Sequence, residues 1–189
     1  MPLLGRAREV TDARRVWRPY LTIALVLGLL GWQLYVTGGA CRTDAPTLMR
    51  FGARKANLGF PQAPWRLFAS VFLHQGWWHM LSNLIVLGVW GACLEKVLGR
   101  LEVLALFLLA GFWGSLFSDL YGPSVLALGA SGAVFAMVSA VLVLSLLARD
   151  WPQWEGDAQR WLSVSLAALA LNVVSAAGFS SLIQGARLD

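Results

Sequence analysis

The chain has 189 residues, of which 58% are hydrophobic and 13% are charged, and its mean hydropathy is +0.63. Soluble domains are about 45–50% apolar and about 25% charged, so the composition excludes an ordinary soluble domain and indicates a membrane protein. The net charge of +5 does not indicate nucleic-acid binding, because the cations are distributed over the loops between apolar segments rather than gathered in one patch.

The hydropathy pattern predicts an all-α polytopic membrane helix bundle, in which each span needs about 20 apolar residues. Residues 1–18 hold five arginines and two acidic residues ahead of a full-length span, which is unlike a signal peptide. We therefore divide the chain into a basic segment, residues 1–18, and one membrane domain, residues 19–189. The predicted spans are Pro19–Val36, Trp77–Leu94, Leu101–Leu120, Ser131–Leu147 and Trp161–Ala177.

The distribution of Lys and Arg predicts a cytoplasmic N-terminus under the positive-inside rule. Arginines precede span one, and basic residues lie between spans two and three and between spans four and five, whereas residues 121–130 contain none. The loop after span one breaks this pattern. Its basic residues are Arg42, Arg50, Arg54, Lys55 and Arg66. We still expect the N-terminus inside, because the first span usually dominates the orientation.

Polar side chains on spans two and four indicate a catalytic constellation. His79 and Asn83 are four residues apart and share one helical face, and polar groups inside a span usually face the bundle interior or water. With the N-terminus inside, this face and Ser131 lie at similar depth near the outer surface. A hydroxyl beside two hydrogen-bond donors and a helix N-terminus could attack a carbonyl and stabilise the resulting oxyanion.

Helix packing is the alternative explanation of the same pattern. A stripe of small residues at helical spacing lets two membrane helices approach closely. The stripe consists of Gly132, Ala136 and Ser139 or Ala140. Taken alone, the residues around Ser131 favour packing, and the two polar residues on span two could form hydrogen bonds between helices. A catalytic role is favoured because His79 and Asn83 share one face at the depth of Ser131.

The sequence predicts neither a metal site nor another cofactor. His74 and His79 are five residues apart rather than four, and no carboxylate lies nearby, so they do not match a metal-binding helix. Glu95, at the other end of span two, is expected to pair with Lys96 or Arg100. Cys41 and Cys93 fall at opposite ends of the predicted topology, and we expect both to be free thiols.

Several motifs in a fixed order resemble the rhomboid family of intramembrane serine proteases. They are "WRLFASVFLH" from Trp65, the H-x-x-x-N of His79 and Asn83, "LEKVLG" at Leu94–Gly99 and the G-x-S-G of Gly129–Gly132. The resemblance implies a six-helix core that cuts transmembrane proteins within the bilayer, here in a bacterial inner membrane. It implies no cofactor, and its expected partners are the bilayer and single-span substrates whose Gly- or Ala-rich helices unwind easily.

The resemblance also assigns roles to individual residues. Ser131 would be the nucleophile and carry an acyl-enzyme, and its backbone N–H would join His79 and Asn83 in binding the oxyanion. Gly129 and Gly132 would support the motif. The long loop after span one, which contains Trp65–Arg66, would correspond to the family's membrane-embedded first loop.

The general base is where the sequence departs from the family pattern. A serine hydroxyl needs a base to take its proton, and rhomboids use a histidine near the start of a sixth span, commonly in A-H-x-x-G. The chain has two histidines, both on or before span two, and shows five of the six spans. We expect the chain to stop before that histidine and to be inactive as it stands. Alternatively "GAR" matches "GAH" and places Arg187 there, although arginine cannot act as a base.

Two other functions remain open. A non-proteolytic rhomboid-like protein would bind transmembrane clients without cutting them, but it would not need Ser131 together with His79 and Asn83. A small channel or transporter subunit would need polar groups deeper in the spans, where few are present. The sequence therefore favours the protease.

Overall fold

The structure, a computed structural model, describes residues 18–55, 60–121, 126–147, 157 and 159–170. These ranges contain helices and no β-strand, with two isolated bridges, and this confirms the predicted all-α bundle. The helices are α1 (Tyr20–Thr37), α2 (Ala45–Arg50), α3 (Arg66–Ala69), α4 (Trp77–Val86), α5 (Ala92–Val97), α6 (Arg100–Tyr121) and α7 (Ser131–Leu147). Residues 159–170 are helical as well.

Within the described ranges, three stretches of helix are long and apolar enough to cross a membrane, namely α1, the continuous run Trp77–Val97, and α6. The run Trp77–Val97 consists of α4 and α5 joined by a π-helical turn. Helix α7 is apolar but has 17 residues, as predicted. Of the predicted span Trp161–Ala177, the described part is helical to residue 170. Most of the predicted basic segment, the last residues of span five and Arg187 lie outside the described residues.

Apolar side chains cover both the inside and the outside of the bundle. The interior holds large side chains that are fully buried, among them Met80, Phe107 and Met137. Other large apolar side chains point outward, such as Leu27 on α1 and Phe117 on α6, which are 60% and 57% exposed. Lipid tails are as apolar as leucine, so outward-facing leucine and phenylalanine suit a membrane.

Glu95 anchors α1 to α5. Its carboxylate accepts hydrogen bonds from the backbone N–H groups of Leu21 and Thr22 at 3.1 and 2.9 Å, and from the Thr22 hydroxyl at 2.8 Å. These N–H groups belong to the first turn of α1, which has no helical acceptors for them, and a negative charge is favourable there. Arg100 forms an ion pair with the same carboxylate at 3.3 Å, which is one of the two pairings that the sequence predicts.

Helices α6 and α7 approach each other through glycines. A Cβ atom built on Gly132 would lie 3.3 Å from the Cα of Gly114, and one built on Gly114 would lie 3.1 Å from the Cα of Gly132. The structure therefore supports the packing explanation for Gly132. Close contact between these helices also fixes the level at which α7 begins.

Candidate functional site

Ser131 begins α7 at a level well inside the bundle. The crossing of Gly132 and Gly114 puts the start of α7 seven residues before Tyr121, where α6 ends. At a rise of 1.5 Å per residue this is about 10 Å along the axis of α6. Residues 126–130 are not helical and lead into α7. The serine is therefore recessed below the end of α6.

The hydroxyl of Ser131 lies at the positive end of α7. The N–H of Val134 donates to the carbonyl of Ala130 at 3.0 Å, so the N–H groups of the three residues from Ser131 onward are first-turn donors without helical acceptors. Ser131 is partly exposed, and its hydroxyl has no hydrogen-bond partner among the described residues. This arrangement suits an anion or a developing oxyanion next to the serine.

The imidazole of His79 packs directly against Gly129. A Cβ atom built on Gly129 would lie 2.8 Å from Cε1 and 2.9 Å from Nε2 of His79, so any side chain there would collide with the ring. Gly129 also has φ +118°, a conformation that other residues rarely adopt. The structure thus brings His79 to the segment that carries Ser131, two residues before the hydroxyl.

Asn83 supports the turn of helix that carries His79. Asn83 is buried, and its side-chain amide donates to the backbone carbonyl of His79 at 3.0 Å. The two residues therefore share one face of α4, as their spacing predicts. The amide group has two hydrogens, so this bond leaves the second N–H for another acceptor.

The ring of His74 lies against the ring of His79, with the centroids 5.1 Å apart and the planes nearly perpendicular. His74 is fully buried, and neither of its ring nitrogens has a hydrogen-bond partner in the part of the chain that the structure describes. Burial, and to a smaller extent the charge of His79, lower the pKa of His74 to about 3. His74 is therefore neutral at physiological pH.

An open cavity of about 280 Å³ lies beside His79. Its other walls include Arg42, Gly76, Trp77 and Trp78. His79 therefore contacts both this cavity and Gly129. Within the described ranges, no group of three or more His, Cys, Asp and Glu side chains is placed to hold a metal ion.

The segment before Ser131 is held by backbone hydrogen bonds to two other segments. Arg54 and Ala127 exchange two bonds, at 3.1 and 2.8 Å, and the N–H of Gly129 donates to the carbonyl of Ser70 at 2.8 Å. Non-helical backbone in a membrane bundle is tolerated only where it is buried in protein or lines a water-filled cavity. These bonds pair the N–H and the carbonyl of Ala127 and the N–H of Gly129.

The side chain of Arg54 joins the same cluster and was missed by sequence reasoning. Its Nε donates to the Ser70 hydroxyl at 3.0 Å, and its Nη1 donates to the carbonyl of Ser115 and forms an ion pair with Asp119 at 3.3 Å. Burial lowers the pKa of Arg54 and Asp119 raises it, and a guanidinium stays charged in proteins. Asp119, an acid near the end of an apolar span, was the available signal, since such residues usually have a buried partner.

One of the five cations in the loop after span one is buried with a counter-charge. Arg54 is 3% exposed and pairs with Asp119, whereas Arg66 is half-buried and donates to the carbonyls of Met49 and Ala53, each at 2.7 Å. The pairing of Arg54 with Asp119 removes one net positive charge from the loop that opposes a cytoplasmic N-terminus.

Comparison with known proteins identifies the family. A family model described as the rhomboid domain matches residues 61–183. The chain belongs to the rhomboid family. Family membership and the apolar helices together make it a multi-pass integral membrane protein.

The relatives that match this chain include one named as a protease, one named as rhomboid-like and one named as inactive. The rhomboid protease GluP of Bacillus subtilis (strain 168) is 36% identical over 127 residues, which are 67% of this chain and 24% of that protein. RHOMBOID-like protein 5 of Arabidopsis thaliana is 33% identical over 144 residues, 75% of this chain and 46% of that protein. Inactive RHOMBOID-like protein 8 of Arabidopsis thaliana is 33% identical over 87 residues, 46% of this chain and 24% of that protein. The chain spans less than half the length of each of these relatives.

The buried neutral state of His74 predicts a loss of stability in acid. The folded protein holds the pKa of His74 near 3, and an unfolded chain holds it near 6.5, so between these values the unfolded state binds more protons. The free energy of unfolding should fall by up to about 1.4 kcal/mol for each pH unit below 6.5. Measuring the free energy of unfolding in detergent at pH 7, 6 and 5 gives this dependence on pH.

His74→Phe is the matched variant for this test. A phenyl ring fits a site in which neither ring nitrogen has a described partner, and it does not titrate. The variant should lose less stability than the wild type between pH 7 and 5. An identical slope in the two proteins would show that His74 is not the group responsible.

Proposed function

We propose that the protein is an intramembrane serine endopeptidase that hydrolyses peptide bonds in the transmembrane segments of other membrane proteins. The observation that carries the proposal is the contact of the exposed His79 ring with Gly129, two residues before Ser131 and the positive end of α7. The similarity to a relative named as a rhomboid protease supports it.

The proposed chemistry uses the groups already described. The Ser131 hydroxyl attacks the carbonyl carbon of the scissile bond and gives its proton to the general base, and negative charge develops on the carbonyl oxygen. The N–H of Ser131, a ring N–H of His79 and the second amide N–H of Asn83 are the proposed donors to that oxygen. Collapse breaks the C–N bond as the base returns the proton to the leaving amine, and it leaves an acyl-enzyme on Ser131. Water then hydrolyses this ester, which releases the acid product and restores the serine hydroxyl. No metal or cofactor takes part in the proposed reaction.

The general base is assigned from the resemblance. His74 is a poor candidate, because a group with a pKa near 3 takes up almost no proton at neutral pH. His79 is assigned to the oxyanion. We therefore place the base on a histidine of the family's sixth span, and Arg187, the alternative at this place, cannot fill the role. Position 187 lies outside the described residues.

We further propose that the N-terminus is cytoplasmic, that Ser131 is reached from the outer side of a bacterial inner membrane, and that substrates are single-span proteins. The pairing of buried Arg54 with Asp119 supports this orientation, since it neutralises one cation of the loop that opposes it. A recessed serine requires the substrate helix to unwind before its backbone carbonyl becomes accessible, which favours Gly- and Ala-rich segments.

A non-proteolytic protein that binds transmembrane clients is the second candidate. The observation in its favour is the similarity to a relative named as an inactive rhomboid-like protein. Cleavage by the purified protein distinguishes the two candidates, because a client-binding protein would retain the substrate uncut.

Cleavage should depend on Ser131. The purified protein should cut a Gly/Ala-rich transmembrane substrate in liposomes, and Ser131→Ala should abolish the cutting. Ser139→Ala, an exposed serine on the same helix, is the control and should cut normally. Cutting by the Ser131→Ala variant at the wild-type rate would show that Ser131 is not the nucleophile.

The oxyanion roles predict a loss of rate rather than of stability. Asn83→Ala and His79→Ala should each lower kcat by about 10²–10³, because a donor to the developing charge is removed. Ile85→Ala, which shortens a side chain on α4 that is 65% exposed, should leave kcat unchanged. If the two residues only join helices, kcat stays constant and stability falls by about 0.6 kcal/mol.

A further inference from the structure

A buried cluster around Arg54 joins segments that are far apart in the sequence. It connects the loop after α2, the turn that contains Ser70, the last turns of α6 and the segment before Ser131. Arg54 is 3% exposed, and its backbone and side chain form hydrogen bonds with each of the other three segments. None of its contacts is with Ser131 itself, so its influence on the serine is indirect.

We infer that Arg54, held by Asp119, is a positioning residue for the nucleophile: the pair fixes the segment 127–129 against His79 and so keeps Ser131 and its oxyanion donors in register. This inference rests on the proposed function for its catalytic consequence. Its structural content, that the segment depends on Arg54, stands independently of that function.

Both ends of the segment 127–129 depend on Arg54. At one end, the backbone of Arg54 exchanges two hydrogen bonds with Ala127. At the other end, the carbonyl of Ser70 accepts from Gly129, and the hydroxyl of Ser70 accepts from Nε of Arg54. A shift of Arg54 is therefore passed to the segment by two routes.

The guanidinium is tied to α6, which gives the cluster a fixed support. One nitrogen donates to both the Asp119 carboxylate and the carbonyl of Ser115. The second oxygen of Asp119 accepts the N–H of Phe60 at 2.7 Å. A planar guanidinium directs several donors at fixed angles, whereas an ammonium group is a single point of charge, so lysine cannot reproduce this set of bonds.

The contact between Gly129 and His79 makes the site sensitive to small shifts. There is no room for even a methyl group between Gly129 and the ring, so displacement of the segment changes the position of His79 relative to Ser131. Oxyanion donors act at about 2.7–3.1 Å. A displacement of about 1 Å at such a site can lower the rate by about 100-fold.

The test compares Arg54→Lys and Asp119→Asn with a matched control, Glu95→Gln. Glu95 is a similarly buried group with several hydrogen bonds, but its partners are in the first turn of α1 and at Arg100 rather than in residues 126–131. Three quantities are measured on the complete protein: the melting temperature, kcat and KM on a transmembrane substrate, and amide hydrogen exchange of residues 126–131.

The two cluster variants should lower kcat by about 100-fold with little change in KM and should raise hydrogen exchange in residues 126–131. Asp119→Asn keeps the shape of the side chain and removes its charge, so it serves if Arg54→Lys does not fold. Glu95→Gln should lower the melting temperature by a similar amount while leaving kcat and that exchange close to the wild-type values.

Unchanged exchange of residues 126–131 in both cluster variants would overturn the inference, whatever the activity of the wild type. A loss of kcat that simply follows the loss of melting temperature in all three variants would overturn it as well, because Arg54 would then act as a general stabilising residue. A wild-type protein that cuts no substrate would contradict the proposed function, while hydrogen exchange would still decide whether Arg54 holds the segment.

Discussion

Backbone that leaves the helical pattern inside an apolar bundle must find hydrogen-bond partners, and the candidate site depends on how this requirement is met. Residues 126–130 are not helical, and they lead to the start of α7. That start lies about 10 Å from the end of α6, measured along the axis of α6. Arg54 pairs with both backbone groups of Ala127, and the carbonyl of Ser70 accepts the N–H of Gly129. Arg54 is itself a buried charge, which is costly without a counter-charge, and Asp119 provides one. The loop after α1 therefore has to fold into the bundle.

The small residues around Ser131 serve packing and chemistry at different positions. Gly132 allows α7 to touch α6 at Gly114, which sets the depth of the serine. Gly129 adopts a positive φ and leaves space for the His79 ring, which sets the distance between that ring and the segment before the serine. The two explanations of the G-x-S-G pattern are therefore compatible, because each applies to a different glycine.

The sequence predicts what depends on local pattern and misses what depends on distant partners. Hydropathy places the span boundaries well, and helical spacing puts His79 and Asn83 on one face. Arg54 was counted as a loop cation, since a buried arginine and a surface arginine look alike in a sequence. Its partner Asp119 lies 65 positions away. Glu95 was expected to form a local ion pair, and its bonds to α1, more than 70 positions away, were not foreseen.

Locating the site of covalent modification tests the central claim most directly, namely that Ser131 is the reactive residue of a site assembled by folding. The complete protein in liposomes is treated with a fluorophosphonate and then digested, and the adduct is located by mass spectrometry. The account predicts an adduct on Ser131 that forms in the folded protein and is absent when the protein is unfolded before treatment. An adduct on another residue, or equal modification of Ser131 in the folded and unfolded protein, would contradict it.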